Sequence, residues 1–252
     1  MKQALKSILP VAVLLALWQA AASAKIWSEY VLPSPERVLR AFATMIQSGV
    51  LFEHIWVSFC RVLTGFSIAF ALAFLLGLLA GLRPNSSVYY NHIVEFLRNV
   101  PPLSIIALLI LWFGIGETSK IIIIVLASFF PMFLNIKKGL SSCDPKLVEV
   151  GHSLNFTQGQ IFRRILFPNA LPDILVGMRV GMGYSWRAII GAEMIAAASG
   201  LGYMILDAQQ MSRSDKVIVG IFVIGIAGYL CDRLFSLVIK KTLHGGVDNS
   251  WS

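Results

Sequence analysis

The chain has 252 residues, of which 57% are hydrophobic and 13% are charged, and its formal net charge is +8. Soluble domains carry about 25% charged residues, so the composition excludes an ordinary soluble domain and indicates a polytopic membrane protein. The positive charge does not indicate nucleic-acid binding, because Lys and Arg also collect in the cytoplasmic loops of membrane proteins and no basic cluster stands apart from the apolar runs.

An apolar run at about residues 5–24 predicts the first membrane span. Lys2 and Lys6 precede its short apolar core, and Ala22-Ser23-Ala24 has the small-residue pattern of a signal-peptidase site. A cleaved signal peptide therefore remains an alternative to a retained span. In both cases the next segment is expected on the outer face of the membrane.

The segment after this run mixes polar and apolar residues. Leu32-Pro33-Ser34-Pro35 predicts an extended turn, since each proline disfavours helix in the residue before it. Ser34 is the expected N-cap of a helix that begins at Pro35. Apolar residues at helical spacing over 36–47 and again over 51–59 predict two amphipathic helices at the membrane surface.

Five further apolar runs predict spans at about residues 62–82, 103–113, 119–136, 174–198 and 217–239. The run at 103–113 is shorter than the roughly 20 residues that a hydrocarbon core needs. This span is therefore also compatible with a start near Ile93 and a kink at Pro101-Pro102. Pro131 is expected to bend the following span.

Six spans place both termini on one side of the membrane, with polar loops predicted at 83–100 and 199–214. Lys and Arg are in excess in the termini and in the loops at 83–100 and 137–168, which makes that side cytoplasmic. The sequence thus predicts an all-α polytopic membrane protein of about six transmembrane helices. A single domain is expected over residues 1–252, with core spans at 62–239.

Small residues recur every four positions along the second predicted span, at Gly65, Ala69, Ala73, Gly77 and Gly81. Such a stripe lets another helix approach closely. Close packing within the chain is the favoured interpretation, and a seam between two copies is the alternative.

The longest polar segment between apolar runs extends from Asp144 to Pro168. Asp144 is a good N-cap, and Pro145 suits the first helical position because proline lacks only a donor that would be unsatisfied there. This helix is predicted to end near Leu154, since Asn155 tolerates the left-handed conformation of a sharp turn.

A second helix is predicted after the turn. Thr157 and Gln160 have the spacing of a capping box, with Phe156 and Ile161 at the flanking apolar positions. Pro168 is expected to end this helix. A DNA-binding helix-turn-helix is disfavoured, because short connections to the neighbouring spans hold the helix pair at the membrane surface.

This segment resembles the EAA loop of the permease subunits of ATP-binding-cassette (ABC) importers, Glu-Ala-Ala-x3-Gly-x9-Ile-x-Leu-Pro. Glu149, Ile165 and Pro168 match with the full spacing. Four positions depart from the pattern, and they hold Val150, Gly151, Asn155 and Phe167. Asn in place of Gly at the turn is a mild change, because Asn also tolerates left-handed backbone.

The resemblance covers nearly the whole chain and is closest to the nitrate, sulfonate and taurine branch of these importers. The motifs that carry it are Leu32-Pro33-Ser34-Pro35, the run RVLTGF from Arg61, the run WFGIG from Trp112, and GAEM from Gly191 with GLG from Gly200. The chain is identified as a member of this family, with a type I importer permease fold and a cytoplasmic coupling loop at 137–168.

The resemblance implies a multi-pass permease of the bacterial inner membrane with both termini cytoplasmic. It also implies two copies of an ABC ATPase, a second permease copy in a homodimeric pathway, and a periplasmic or lipid-anchored solute-binding protein. Glu149 with Arg163 or Arg164 is expected to contact the ATPase, and contact with anionic membrane lipid is the alternative for Arg164. The sequence contains no Walker A motif GxxxxGK[ST], so ATP and Mg²⁺ are expected on the partner ATPase and no cofactor on this chain.

Ionisable residues inside spans are candidates for function, and the span at 174–198 holds Arg179, Arg187 and Glu193. Arg187, with Tyr184 and Trp186 nearby, is the candidate for attracting an anionic substrate in the translocation pathway. Arg179 lies near the cytoplasmic end and is expected to snorkel or to form a structural pair. Glu193 is expected to be a structural or gating residue near the outer end, with a substrate contact as the alternative.

A membrane-embedded enzyme is the rival class of function. The sequence contains no HExxH or GxSxG motif, no paired intramembrane aspartates and no CxxC. The four histidines are scattered, at His54, His92, His152 and His244. These absences disfavour catalysis, and the resemblance implies ATP-driven import of a small anion. Sulfonates, taurine, nitrate, bicarbonate and pyrimidine vitamin precursors remain open as substrates, because much of the selectivity in this family lies in the binding protein.

Overall fold

The computed structural model describes residues 2–24, 27–83 and 87–242, with side chains except those of residues 2–8 and 87. Every regular element in these ranges is helical. The helices are α1 (Lys2–Ser23), α2 (Pro35–Gln47), α3 (Val50–Leu82), α4 (Ser87–Asn99), α5 (Ile106–Phe113), α6 (Glu117–Ser141), α7 (Pro145–Ser153), α8 (Gln158–Ile161), α9 (Phe167–Ala196), α10 (Leu201–Gln210) and α11 (Ser214–Thr242). A 3-10 turn at Pro102–Ile105 precedes α5, and a π-helical stretch at Phe162–Leu166 joins α8 to α9.

Four of the described helices are long and apolar enough to cross a membrane, at Val50–Leu82, Glu117–Ser141, Gln158–Ala196 and Ser214–Thr242. The bent pair Val88–Asn99 and Pro102–Phe113 makes a fifth crossing if it counts as one span. These helices correspond to five of the six predicted spans. α1 occupies the first, and its described apolar part Leu9–Ser23 is shorter than the usual crossing length. The protein is thus an all-helical polytopic membrane protein with four to five crossing helices.

The chain divides into two compact units. The first unit contains the chain up to Ser58 together with Glu193–Ile226, and the second contains Phe59–Ala192 together with the chain from Ala227 onward. The helix pair at 144–168 belongs wholly to the second unit. That the whole chain forms one domain stays a prediction.

The first amphipathic helix is confirmed as α2. Ser34 Oγ accepts a hydrogen bond from the Arg37 amide at 3.4 Å and caps the helix, and Pro35 occupies its first position. Val38, Ala41 and Met45 form its buried face.

The second amphipathic segment, predicted at 51–59, is not a separate surface helix. It forms the beginning of α3, which runs unbroken from Val50 to Leu82. Arg61 is buried within this helix and donates two hydrogen bonds of 2.7 Å to Glu117 of α6. An arginine that is paired in this way does not interrupt a helix, which is why its polarity is a poor guide to the boundary.

Both predicted polar loops contain helices. α4 lies within the loop expected at 83–100, and α10 lies within the loop expected at 199–214. The sequence of each helix mixes polar with apolar residues but contains no proline. Polarity lowered the hydropathy of these segments without removing their capacity to form a helix.

Pro101 and Pro102 produce a larger distortion than the expected kink. α4 ends before them, a 3-10 turn begins at Pro102, and the two helices are bent by 84°. Because neither proline has an N–H group, two helical hydrogen bonds are lost in succession and the chain changes direction. Pro131, in contrast, stays inside the continuous helix α6.

The small-residue stripe of α3 packs within the chain. Cβ atoms at Gly65, Gly77 and Gly81 would lie 2.6–2.8 Å from side-chain atoms of α6, namely those of Ile124, Ile136 and Leu140. Ala69 and Ala73 are fully buried. The favoured interpretation is confirmed, and the alternative of a seam between two copies is wrong for this face.

Candidate functional site

The first helix of the pair at 144–168 is capped as the sequence predicts. Asp144 Oδ1 accepts a hydrogen bond from the Lys146 amide at 2.9 Å, and α7 ends at Ser153. Asn155 then adopts φ 57°, the left-handed conformation expected at this turn.

Just before the pair, burial raises the pKa of the Cys143 thiol, so this cysteine stays protonated at neutral pH.

A capping box starts the second helix. Gln160 Oε1 accepts from the Thr157 amide at 2.8 Å, and Thr157 Oγ1 accepts from the Gln160 amide at 3.4 Å. The Arg164 guanidinium lies 5.1 Å from the centre of the Phe156 ring. This cation–π contact ties the second helix back to the turn, so the turn is held by side chains on both sides.

Gly151 accounts for one departure from the Ala-Ala pattern. A Cβ at this position would lie 2.8 Å from Ile165 Cδ1 and 3.3 Å from Ile161 Cγ1. A glycine therefore lets the two helices approach more closely than an alanine would. Val150, the other departure, is exposed and takes no part in this packing.

Pro168 does not end the second helix, so this prediction is wrong. The helix continues through the π stretch into α9, and Gln158–Ala196 is continuous over 39 residues. In the π stretch the Phe167 amide donates to the Phe162 carbonyl, five residues earlier. A proline at 168 cannot donate a helical N–H and crowds the carbonyl four residues before it. The wider π turn directly before Pro168 absorbs this disruption.

The outer surface of the helix pair combines charged and apolar side chains. Its exposed charged residues include Glu149, Arg163 and Arg164, and its exposed apolar residues include Leu147, Val150, Leu154 and Pro168. Asn155 is exposed at the turn, and Ile165 is half-buried against Gly151. A rigid element that leaves apolar side chains exposed is typical of a surface that binds another protein.

The two spans that flank the helix pair, α6 and α9, are joined to each other next to its base. Lys138 Nζ of α6 lies 3.1 Å from Asp173 Oδ1 of α9, and the Asn169 side-chain amide donates to the Gly139 carbonyl at 3.4 Å. A Cβ at Gly139 would lie 2.8 Å from Asp173 Cβ. Because the backbones are this close, a force on the helix pair acts on α6 and α9 together.

The structure brings together two of the four predicted pathway residues. The Arg187 guanidinium lies 4.7 Å from the centre of the Tyr184 ring, its Nε donates to the Gly183 carbonyl at 3.0 Å, and both side chains are exposed. Trp186 is buried, and its Cδ1 lies 3.1 Å from the Cβ position of Gly228 in α11. Trp186 therefore packs between helices in this conformation and does not line an open surface.

Glu193 is fully buried in the first unit. The Ser58 hydroxyl lies 2.8 Å from both carboxylate oxygens, and the Gly202 amide donates to Oε2 at 3.0 Å. Gly202 is the second residue of α10, so the carboxylate caps the N-terminus of that helix. This arrangement agrees with the structural role expected for Glu193 and leaves its side chain closed to a substrate in this conformation.

Sequence reasoning missed the partners of the charged residues in the spans. Arg179 forms two hydrogen bonds with Asp232 of α11, at 2.6 and 2.7 Å, which agrees with the expected structural pair. Arg61 is 7% exposed and Lys120 is 3% exposed, and both bind Glu117, with Nζ of Lys120 at 2.7 Å. These partners could have been suspected from the sequence, because Glu117 and Asp232 lie in apolar helices, where a carboxylate is expected to have a cationic partner.

The three histidines that the structure describes are not grouped into a metal site. Within the described ranges, no group of three or more His, Cys, Asp or Glu side chains is placed to hold a metal ion. His54 Nδ1 accepts a hydrogen bond from the Gly200 amide at 3.1 Å, while His92 and His152 lie on α4 and α7. His244 lies outside the described residues.

Residues 73–244 match the family of binding-protein-dependent transport system inner membrane components. The chain belongs to this family. It is the permease component of an ABC importer, a multi-pass protein of the inner membrane, and such subunits are not themselves enzymes.

Three curated relatives of this permease extend over most of its length. The "Putative aliphatic sulfonates transport permease protein SsuC" of Bacillus subtilis is 38% identical over 95% of this chain and 87% of its own. The taurine transport system permease protein TauC of Escherichia coli is 35% identical over 92% and 86%. The nitrate import permease protein NrtB of a Synechocystis species is 31% identical over 90% and 85%.

Solved structures agree on the fold of this permease. A chain of the MetNI methionine ABC transporter, in an inward-facing conformation, superposes with a TM-score of 0.70 at 15% identity and covers 79% of this chain and 98% of its own. A chain of an amino acid ABC transporter gives a TM-score of 0.66 at 16% identity. At these identities the likeness establishes the fold of an ABC importer permease.

Proposed function

We propose that this permease forms the transmembrane pathway for a small anion of the sulfonate, taurine or nitrate kind, delivered by an extracytoplasmic binding protein. The observation that carries the proposal is similarity over more than 90% of the chain to permeases named for sulfonates and taurine. These solutes share an anionic oxygen-rich group. An arginine with an exposed guanidinium, such as Arg187, suits such a group because it binds oxyanions through two N–H donors.

The helix pair at 144–168 is proposed as the element that docks to the partner ATPase. Its exposed Glu149, Arg163 and Val150 supply charged and apolar contacts, and the two spans that continue from its ends, α6 and α9, are joined to each other. Closure of the ATPase would then move both spans, which is the rigid-body motion that alternating access requires. With this surface in the cytoplasm, both termini are cytoplasmic as well. Two copies of the permease are proposed to form the pathway, as the family resemblance implies.

Reconstitution tests this function. The permease, its ATPase and its binding protein are assembled in proteoliposomes, and uptake of ethanesulfonate, taurine, nitrate and a neutral pyrimidine is measured with ATP and with a non-hydrolysable analogue. We expect ATP-dependent uptake of at least one of these anions. Uptake confined to a neutral pyrimidine would assign the chain to vitamin-precursor import, and the absence of any ATP-dependent uptake would reject the proposal.

A further inference from the structure

An open cavity of about 330 Å³ lies in the second unit, between α4, the 3-10 turn, α6 and α9. Its wall includes Arg98, Ala127, Phe130, Pro131, Leu134 and Tyr184. Binding sites for small molecules start at about 300 Å³, so this cavity suits a ligand of only a few non-hydrogen atoms. Arg98 was not among the predicted pathway residues.

Arg98 gives the cavity a positive charge that nothing in the described chain neutralises. Its side chain is exposed in the last turn of α4, and no hydrogen bond or ion pair joins its guanidinium to another described residue. Other cations of the spans are engaged, Arg179 by Asp232 and Lys120 by Glu117. A guanidinium that lines a cavity with its donors unused is suited to a planar or tetrahedral oxyanion.

The rest of the wall is suited to an organic ligand. Phe130 and Leu134 of α6 contribute apolar surface. Tyr184 contributes an aromatic ring, which also makes the cation–π contact with Arg187. Pro131 has no N–H group, so the Ala127 carbonyl lacks its helical donor, and both residues line the cavity. A free carbonyl would repel a bare inorganic anion but accept a hydrogen bond from an amine or hydroxyl group.

We infer that this cavity is the membrane site at which the permease selects its substrate, a small organic anion on a short alkyl chain. Arg98 binds the anionic group, and the wall of α6 packs against the alkyl chain. The inference rests on the proposed function and narrows it, because an inorganic oxyanion such as nitrate would use the Arg98 end alone.

The test uses the complete assembly in proteoliposomes, with ethanesulfonate and nitrate as probes and with the concentration of loaded binding protein varied. Arg98→Gln is compared with Arg98→Lys and with Arg40→Gln, a control at an exposed arginine of α2 that does not line the cavity. Leu134→Gln, which places a polar group on the apolar wall, is compared with Leu134→Met. Each variant is first checked for yield and for copurification with the ATPase.

We expect Arg98→Gln to lower the maximal rate of ethanesulfonate uptake about 10- to 100-fold, the range for loss of a charged hydrogen-bonding group. The half-saturating concentration of loaded binding protein should stay unchanged, because the cavity is not the docking surface. Arg98→Lys should recover part of the rate, and Leu134→Gln should reduce ethanesulfonate uptake more than nitrate uptake. Arg40→Gln should resemble the wild type, and Leu134→Met should lose less ethanesulfonate uptake than Leu134→Gln, because it keeps the wall apolar.

Wild-type rates in Arg98→Gln, or equal losses for both probes in Leu134→Gln, would overturn the inference while leaving the proposed function intact. If the wild-type assembly imports neither probe nor taurine with ATP, both proposals fall together. The two failures are therefore distinguished by the wild type alone.

Discussion

At Gly200 the backbone passes very close to the buried carboxylate of Glu193. The φ of this glycine is +111°, and a Cβ there would lie 2.3 Å from Glu193 Cδ. The next two amides donate to Ser58 and to Glu193, at 2.9 and 3.0 Å. Glycine is required here for both conformation and space, since a side chain would strain the backbone and displace a buried charge.

Gly200→Ala is predicted to destabilise the permease strongly. The methyl group would push the Glu193 carboxylate away from the N-terminus of α10, and such losses amount to about 1–3 kcal/mol. Gly225→Ala is the matched control, because nothing lies within 4 Å of its Cβ position inside α11. Thermal unfolding in detergent, followed by size-exclusion chromatography, should give a lower melting temperature for Gly200→Ala only. Equal melting temperatures would contradict this account of the loop.

Glu117 pairs with two buried cations. It is 58% exposed, while Arg61 and Lys120 are almost completely buried. Removing one partner of a buried ion pair costs about 3–5 kcal/mol. We expect Glu117→Gln to lower the melting temperature more than Lys120→Met, which leaves the Arg61–Glu117 pair in place. A smaller effect for Glu117→Gln than for Lys120→Met would show that Glu117 does not stabilise the two cations.

At the scale of elements, the helix pair shows which features could be predicted from sequence. Its caps at Asp144 and Thr157 and the left-handed Asn155 depend on residues within four positions, so local chemistry was sufficient. The π stretch was missed because a proline usually marks the end of a helix in sequence. In the structure the helix continues through Pro168 into α9. The charged pairs were missed for a related reason, since Arg61 and Glu117 are 56 positions apart and meet only in the folded chain.

Pro168→Ala is predicted to reduce coupling without unfolding the protein. An alanine restores the N–H donor and relieves the crowding, so an α-helical turn can replace the π stretch. When the π turn becomes an α turn, the helix before it shifts by one residue in register. Arg163 and Arg164 then rotate relative to α9 by about 100°, the angle per residue of an α-helix. Anion uptake per ATP hydrolysed should fall, while the melting temperature stays equal or rises. Unchanged coupling in this variant would show that the π turn does not orient the docking surface.

At the scale of the whole molecule, the described helices account for an importer permease whose ATP chemistry lies on another subunit. Composition and hydropathy were sufficient to predict the class and most of the spans. The resemblance in the segment at 149–168 and in four further motifs predicted the family, which the match over residues 73–244 confirms. The substrate could not be predicted in the same way, because the site proposed for it, the cavity that includes Arg98, is formed by residues from helices distant in sequence.

Glu149→Arg tests whether the helix pair couples this permease to an ATPase. Glu149 is exposed on α7, so the substitution reverses a surface charge without disturbing the packing around Gly151. Lys146→Gln, at another exposed charge of α7, is the control.

The measurement is ATP-driven uptake of the transported anion, together with ATPase activity stimulated by the loaded binding protein, in the reconstituted assembly. We expect Glu149→Arg to remain folded in the membrane but to lose most uptake and most of the stimulation, while Lys146→Gln retains both. Wild-type uptake and stimulation in Glu149→Arg would contradict coupling through the helix pair.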